Sequence, residues 1–163
     1  MPEALRYSGR GYAACFVTFK RRGPGETRLR GCLGTLEPRE ALWQAVARLS
    51  AESVTEDSRF REDPVTLSEL PQLHIEISVL HPRRLLRDPL SITLGMDGIA
   101  LEGQGLWEGR RGVYLPQVAA ECKFSKEEFL SSCCESKAGL PPQAWRDPLL
   151  CRVYGFRAEV FGE

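Results

Sequence analysis

Two strand-forming runs joined by a short turn sit near the start of this 163-residue chain, and they restrict its fold more than any other feature. Tyr12 to Phe19 reads Tyr-Ala-Ala-Cys-Phe-Val-Thr-Phe, an apolar, aromatic and β-branched run that predicts a buried strand. Arg21-Arg22-Gly23-Pro24-Gly25 is turn chemistry, and Leu29 to Leu36 returns as a second strand, completing a hairpin. Gly31 and Gly34 are unusual inside a strand. They imply a bulge, or a place where a ligand or another backbone comes very close.

The rest of the chain alternates short strands with helices. Pro38 suits the first turn of a helix reaching to about Asp57, with Leu42, Ala45, Val46, Leu49 and Val54 on one stripe. Leu73, Ile75, Ile77 and Val79 alternate with His74, Glu76 and Ser78, a strand with one apolar face. Ile99–Leu101 and Arg111–Leu115 pair across a glycine-rich turn. Helical patterns follow over 116–122 and 125–137, where Ser125 and Glu128 have capping-box spacing and Gly139 supplies the stop. Cys151 to Phe161 reads as one closing strand. Locally paired strands separated by helices predict a single α+β domain, or two intimately packed subdomains. Its sheet is expected to be largely antiparallel and strongly curved or barrel-like, with flanking helices.

Composition removes several classes of function. Lys and Arg total 22 and Asp and Glu total 22, so the net charge is zero, and the pI near 6.7 argues against a strongly basic nucleic-acid binder. No apolar run approaches the roughly 18 residues of a membrane span, and the N-terminus lacks a signal-peptide core, so a cytoplasmic location is expected. Under the balanced total, residues 1–39 hold eight basic groups against three acids, a bias that suits either an anion-attracting face or a solvated Arg-rich hairpin. The six cysteines form no C-x-x-C pair, and His74 and His81, seven apart on one strand, point to opposite faces. No metal or cofactor is predicted. Scattered thiols suit a reducing compartment, where most are small buried hydrophobes.

The string with the most chemical content is Leu29-Arg30-Gly31-Cys32-Leu33-Gly34-Thr35-Leu36. In a regular strand Arg30, Cys32 and Gly34 share one face, and a guanidinium two residues away favours the thiolate of Cys32. Flanking glycines let a substrate backbone or phosphate approach. A nucleophilic cysteine also needs a base within reach, and His74, on the polar face of its strand with Glu76 two residues on, is the candidate. The alternative is a buried structural cysteine in a bulged strand.

Phe16-Val17-Thr18 followed by Arg30-Gly31-Cys32-Leu33-Gly34 resembles the signature of the AMMECR domain family, whose prokaryotic branch is known as AmmeMemoRadiSam system protein A. Asp57-Ser58-Arg59-Phe60, Glu69-Leu70-Pro71, Glu76-Ile77-Ser78-Val79-Leu80, Gly98-Ile99, Leu115-Pro116-Gln117-Val118 and Lys137-Ala138-Gly139-Leu140-Pro141-Pro142 with Trp145 continue the match in order, over roughly 14–161. The resemblance implies an α+β fold with a cleft at the Arg-Gly-Cys segment, and it implies no established reaction. Through neighbouring genes it suggests a pathway shared with a Memo-type protein and a radical S-adenosylmethionine protein, a warrant by association. Family members usually carry an amphipathic helix before the first strand. Only Met1 to Gly11 precedes it here, and the apolar surface so left would suit a partner or a second copy of the chain. A misplaced start codon or a trimmed chain is the alternative.

Three functions follow as expectations. The first is an accessory domain holding an anionic or peptide-like ligand at Arg30–Gly34, with Arg30, Gly31, Gly34, Thr35, Asp57, Arg59 and Ser78 as binding residues. The second is a thiol-dependent transferase or hydrolase with Cys32 as nucleophile and His74 as base. The third and weaker is an RNA-binding module using the basic hairpin, disfavoured by the zero net charge and by the lack of an aromatic RNA-binding signature.

Overall fold

The structure is a computed structural model in which residues 13–23 and 25–162 are described. Met1–Gly11, with the missing-helix and oligomer expectations that rest on it, lies outside the described residues. In chain order the elements are β1 (Cys15–Gly23), β2 (Glu26–Thr35), α1 (Leu42–Thr55), β3 (Leu73–Leu80), β4 (Arg84–Leu85), β5 (Gly98–Gly103), β6 (Arg111–Tyr114), α2 (Pro116–Glu121), α3 (Lys126–Cys133), β7 (Cys151–Phe156) and β8 (Ala158–Gly162), with short 3-10 turns between them. The chain divides into two compact units, Met1–His81 with Glu159–Glu163, and Pro82–Ala158.

The first unit holds an open four-stranded sheet of order β2-β1-β3-β8. Alternation along β1 buries Cys15, Val17 and Phe19 on one face, in register with Val79, Ile77 and Ile75 of β3. On that face α1 lays down Ala45, Leu49 and Ser53, with Leu42, Val46 and Val54 packed around them. Burying a side chain such as Leu49 stabilises the helix–sheet contact by about 1.5–3 kcal/mol. The helix opens at Leu42 rather than at Pro38. Thr35 Oγ1 donates to Glu37 O at 3.0 Å and accepts from Glu37 N–H at 3.2 Å, so the chain turns locally before it can wind. In the β1–β2 ladder Phe19 faces Gly31 and Lys20 faces Leu29, which makes Arg30 the extra residue of a β-bulge.

The second unit holds an open four-stranded sheet of order β4-β7-β5-β6. Ile99, Leu101 and Val153 pack with Phe129, Leu130, Cys133 and Cys134 in its core, and the Tyr114 and Phe129 rings stack at 5.4 Å. Ser125 and Glu128 form the reciprocal cap at the start of α3, as their spacing predicts. A π-helical turn over Cys134–Ala138 extends α3, and Gly139 (φ 62°) ends it in a left-handed conformation that suits glycine.

Two sequence expectations are corrected here. The expected α+β fold with antiparallel sheets is found, but as two sheets rather than one, and neither is closed into a barrel among the described residues. The single closing strand is broken at Arg157 into β7, in the second sheet, and β8, in the first. Arg157 leaves the ladder with Nε 3.8 Å from Oδ1 of Asp97, a buried carboxylate that also accepts from Thr93 N–H at 2.8 Å and from Arg84 Nη2 at 3.3 Å. Among the described residues no helix is long and apolar enough to cross a membrane.

Candidate functional site

The bulge at Arg30 decides what Cys32 faces. Register across the first sheet sets three rows on the face turned away from α1: Leu29–Lys20–His74, Cys32–Thr18–Glu76 and Gly34–Phe16–Ser78. Cys32, His74, Gly34 and Ser78 therefore share a face, while Gly31 and Thr35 belong to the opposite one and Arg30 is displaced from the alternation. β1 lies between β2 and β3, so the side chain next to Cys32 is Thr18, whose Oγ1 donates to Cys32 Sγ at 3.2 Å. Glu76, beyond Thr18 in the same row, is paired with Lys20. His74 belongs to the next row, two strands from Cys32, roughly 10 Å away across the sheet alone.

Arg30 does not offer its charge to a ligand here. It is 3% exposed, its Nε and Nη2 reach Oε1 and Oε2 of Glu69 at 2.7 and 3.0 Å, and Nη1 reaches Asp63 Oδ2 at 2.9 Å. Nη2 also donates to Pro64 O at 3.3 Å. Hydrogen bonding to Arg30 is the main reason Glu69 lies below the ordinary carboxylate range, although burial opposes it. Donating to Glu69 likewise raises Arg30.

The cation beside Cys32 is Arg59. Asp57-Ser58-Arg59-Phe60 forms a 3-10 turn whose first residue, Asp57, is buried and accepts from Arg59 N–H at 3.2 Å. The same carboxylate accepts from Arg59 Nε at 2.9 Å, from Arg59 Nη2 at 2.6 Å and from Cys32 N–H at 2.9 Å. Arg59 Nη2 donates in turn to Cys32 O at 3.0 Å, and the Cys32 thiol adds to the interactions that raise Arg59, of which the Asp57 hydrogen bond is the largest. Burial pushes the Asp57 carboxyl upward, but Arg59 and the two backbone N–H groups outweigh it and hold it below its usual range. The turn thereby satisfies the outward N–H and C=O of edge strand β2 at Cys32, which also blocks a further strand from adding there. Arg59 stays 48% exposed, and among the described residues no oxygen accepts from its Nη1.

Both glycines are explained by packing within the chain. A Cβ on Gly31 would lie 2.0 Å from the Ser53 carbonyl oxygen, and one on Gly34 would lie 2.2 Å from the Phe16 ring. The space that the sequence reading left for a ligand at these positions is filled by α1 and by β1. Ser53 is itself a connector: its hydroxyl accepts from Leu33 N–H at 3.0 Å and donates to Val17 O at 3.1 Å, bridging two residues that face each other across the ladder. Thr35 spends its hydroxyl on the Glu37 turn.

The structure thus brings Cys32, Asp57 and Arg59 together and keeps Arg30 and His74 apart from them. Sequence reasoning missed Thr18, Asp63 and Ser53. A polar residue on the apolar stripe of α1 was the available signal for Ser53, and a hydroxyl inside the apolar run 12–19 was the one for Thr18. Nothing local marks Asp63, 33 residues from Arg30.

Two open antiparallel sheets, with a cysteine on an edge strand latched by an Asp-x-Arg turn, define an α+β chain of a recognisable class. The chain belongs to the AMMECR1 family, whose model matches residues 3–161. Protein PH0010 of Pyrococcus horikoshii is 40% identical over 154 residues, covering 91% of this chain and 71% of that protein. A protein of Methanothermobacter thermautotrophicus is 39% identical over 169 residues, covering 100% of this chain and 82% of that one. The crystal structure of PH0010, an uncharacterized protein, superposes with a TM-score of 0.82 at 38% identity, over 94% of this chain and 74% of that chain.

Proposed function

We propose that the chain is an accessory, ligand-binding component of a modification pathway, with a site centred on Cys32 that takes an anionic or peptide-like ligand. It would act beside a Memo-type protein and a radical S-adenosylmethionine protein, the partners implied by the family resemblance. Arg59 takes the role expected of Arg30. The observation that carries the reading is the clamp on Arg59: buried Asp57 fixes its Nε–Nη2 edge, Nη2 also reaches Cys32 O, and the half-exposed guanidinium keeps Nη1 without an acceptor among the described residues. A guanidinium held in this way loses little side-chain freedom when an anion docks. Co-purification of the full chain with the Memo-type and radical proteins tests the partnership. Recovery of both in stoichiometric amounts is expected, and repeated recovery of neither would overturn it.

Thr18 Oγ1, donating to Cys32 Sγ at 3.2 Å, favours a second reading in which Cys32 is a nucleophile. A hydroxyl donating to the sulfur, with a guanidinium bound to the same residue's carbonyl, is the kind of surrounding a reactive thiol needs. Labelling by iodoacetamide at Cys32 should then be far faster than at exposed Cys122, and equal rates at the two would exclude this reading.

A further inference from the structure

Little of the backbone or of the charge around Cys32 is left over for a ligand. Cys32 N–H donates to Asp57 Oδ2 at 2.9 Å and Cys32 O accepts from Arg59 Nη2 at 3.0 Å. An extended peptide therefore finds no backbone group to pair with at this point of β2. Lys20, in the adjoining row of the same face, is paired with Glu76, and Arg28 and Arg30 are paired with Asp63 and Glu69. Arg59 is the cation that remains: it is half exposed, and among the described residues Nη1 has no acceptor. Its Nε–Nη2 fork is already closed on Asp57, so the free nitrogen suits one oxygen of a carboxylate better than a phosphate gripped at two points.

The thiol and this cation are near neighbours. Arg59 Nη2 is 3.0 Å from Cys32 O, and the carbonyl oxygen and sulfur of one cysteine lie about 3–5 Å apart, so the guanidinium is within about 8 Å of Sγ. Cys32 is half-buried, and Thr18 Oγ1 donates to its sulfur at 3.2 Å. Acyl transfer at such a thiol calls for a base and for donors to an oxyanion. His74 is two strands away, Glu76 is engaged by Lys20, and the N–H of Cys32 is taken by Asp57. Thiol–disulfide exchange needs neither, because its leaving group is a thiolate and no oxyanion forms.

We infer that Cys32 forms mixed disulfides with small disulfides that carry carboxylates, a carboxylate docking on Arg59 while one sulfur of the reagent joins Cys32. This assignment rests on the anion-binding reading of the site and narrows it to one class of ligand. In the exchange the thiol gives its proton to water and the Cys32 sulfur attacks one sulfur of the reagent. The S–S bond of the reagent breaks, and the released thiolate takes up a proton. The Cys32 sulfur is oxidised and the released sulfur reduced, so no further oxidant enters.

Glutathione disulfide, an anion, and cystamine, a cationic disulfide, test this on the full chain, with adducts followed at each cysteine by mass spectrometry. The rate ratio of glutathione disulfide to cystamine should be roughly tenfold higher at Cys32 than at exposed Cys122. Arg59→Gln should bring the ratio at Cys32 down to that at Cys122. Added salt should lower it in the unaltered chain, where folding is not in question. Equal ratios at the two cysteines, or a ratio at Cys32 that survives Arg59→Gln or salt, would overturn the exchange. S-methylglutathione has the carboxylates but no disulfide, and its protection of Cys32 against iodoacetamide reports the anion site alone. Protection without any glutathione adduct at Cys32 overturns the exchange and leaves the anion site standing; neither protection nor adduct overturns both.

Discussion

Arg30 and Arg59 flank the same stretch of β2 and touch the same ring, with their guanidinium carbons 5.9 and 5.6 Å from the centroid of Phe60. Each is paired with a buried carboxylate, Glu69 in one case and Asp57 in the other. They differ in what remains after pairing. Arg30 is sealed, with both edges of its guanidinium used on Glu69, Asp63 and Pro64. Arg59 is held along one edge and exposed along the other. One pair fixes the loop from Asp57 to Glu69 against the strand, and the other presents a cation next to a thiol. Residue type and proximity to Cys32 do not separate these roles; burial does.

The largest expected effect breaks the sealed pair. Arg30→Met leaves Glu69 buried without its partner and should cost about 3–5 kcal/mol in urea unfolding, whereas replacing both residues by apolar ones should recover much of that loss. If Arg30→Met cost no more than Arg59→Ala, the contrast between the pairs would collapse. Gly31→Ala drives a methyl group into the Ser53 carbonyl, backbone against backbone, and should cost about 2–3 kcal/mol. Gly34→Ala meets the Phe16 ring, which can turn aside, and should cost less. Equal costs, read from denaturation midpoints, would show that α1 yields as readily as a side chain.

Acid sharpens the comparison further. Both Glu69 and Asp57 are held below their ordinary range, so the unfolded chain takes up their protons first as pH falls. Their contribution to stability is complete above the unfolded carboxyl range near pH 4 and is lost as pH drops through the lower folded values. Glu69→Gln should flatten the fall of the urea midpoint in that window, and Asp57→Asn should flatten it less, because Arg59 is half exposed to solvent. An unaltered acid slope in Glu69→Gln would remove the ion pair from the stability of the fold. The smallest effect is Arg59→Ala, expected to cost about 1–2 kcal/mol in the same unfolding measurement, because buried Asp57 loses its cation but keeps the backbone N–H donors of Cys32 and residue 59.

Much of the fold was legible in the sequence because it depends on local periodicity. The hairpin, the stripe on α1, the alternation of β3 and the Ser125–Glu128 cap all occur where pattern and turn chemistry place them. The break at Arg157 was not legible, since β7 and β8 pair with β5 and β3, strands far away in the chain and in different sheets. The candidate site shows the same division. Cys32 stands out by its flanking glycines, but a one-residue bulge removes Arg30 from its face, and side-chain alternation cannot register a slip that the partner strand reveals. Asp57 and Arg59 were marked by family resemblance, and their contact with Cys32 is tertiary. Cys15, buried in the core of the same sheet, is pushed up to about 11 by burial, partly offset by Arg48.

The central claim is that Arg59, not Arg30, sets the electrostatics at Cys32, and the charge of the alkylating reagent tests it most directly. Iodoacetate is an anion and iodoacetamide is neutral, so their relative rates at Cys32, read site by site by mass spectrometry, report the local field. Iodoacetate should be favoured at Cys32 over exposed Cys122, and Arg59→Ala should abolish the preference while the chain stays folded. A preference that survives Arg59→Ala, or that is no greater at Cys32 than at Cys122, would contradict the claim.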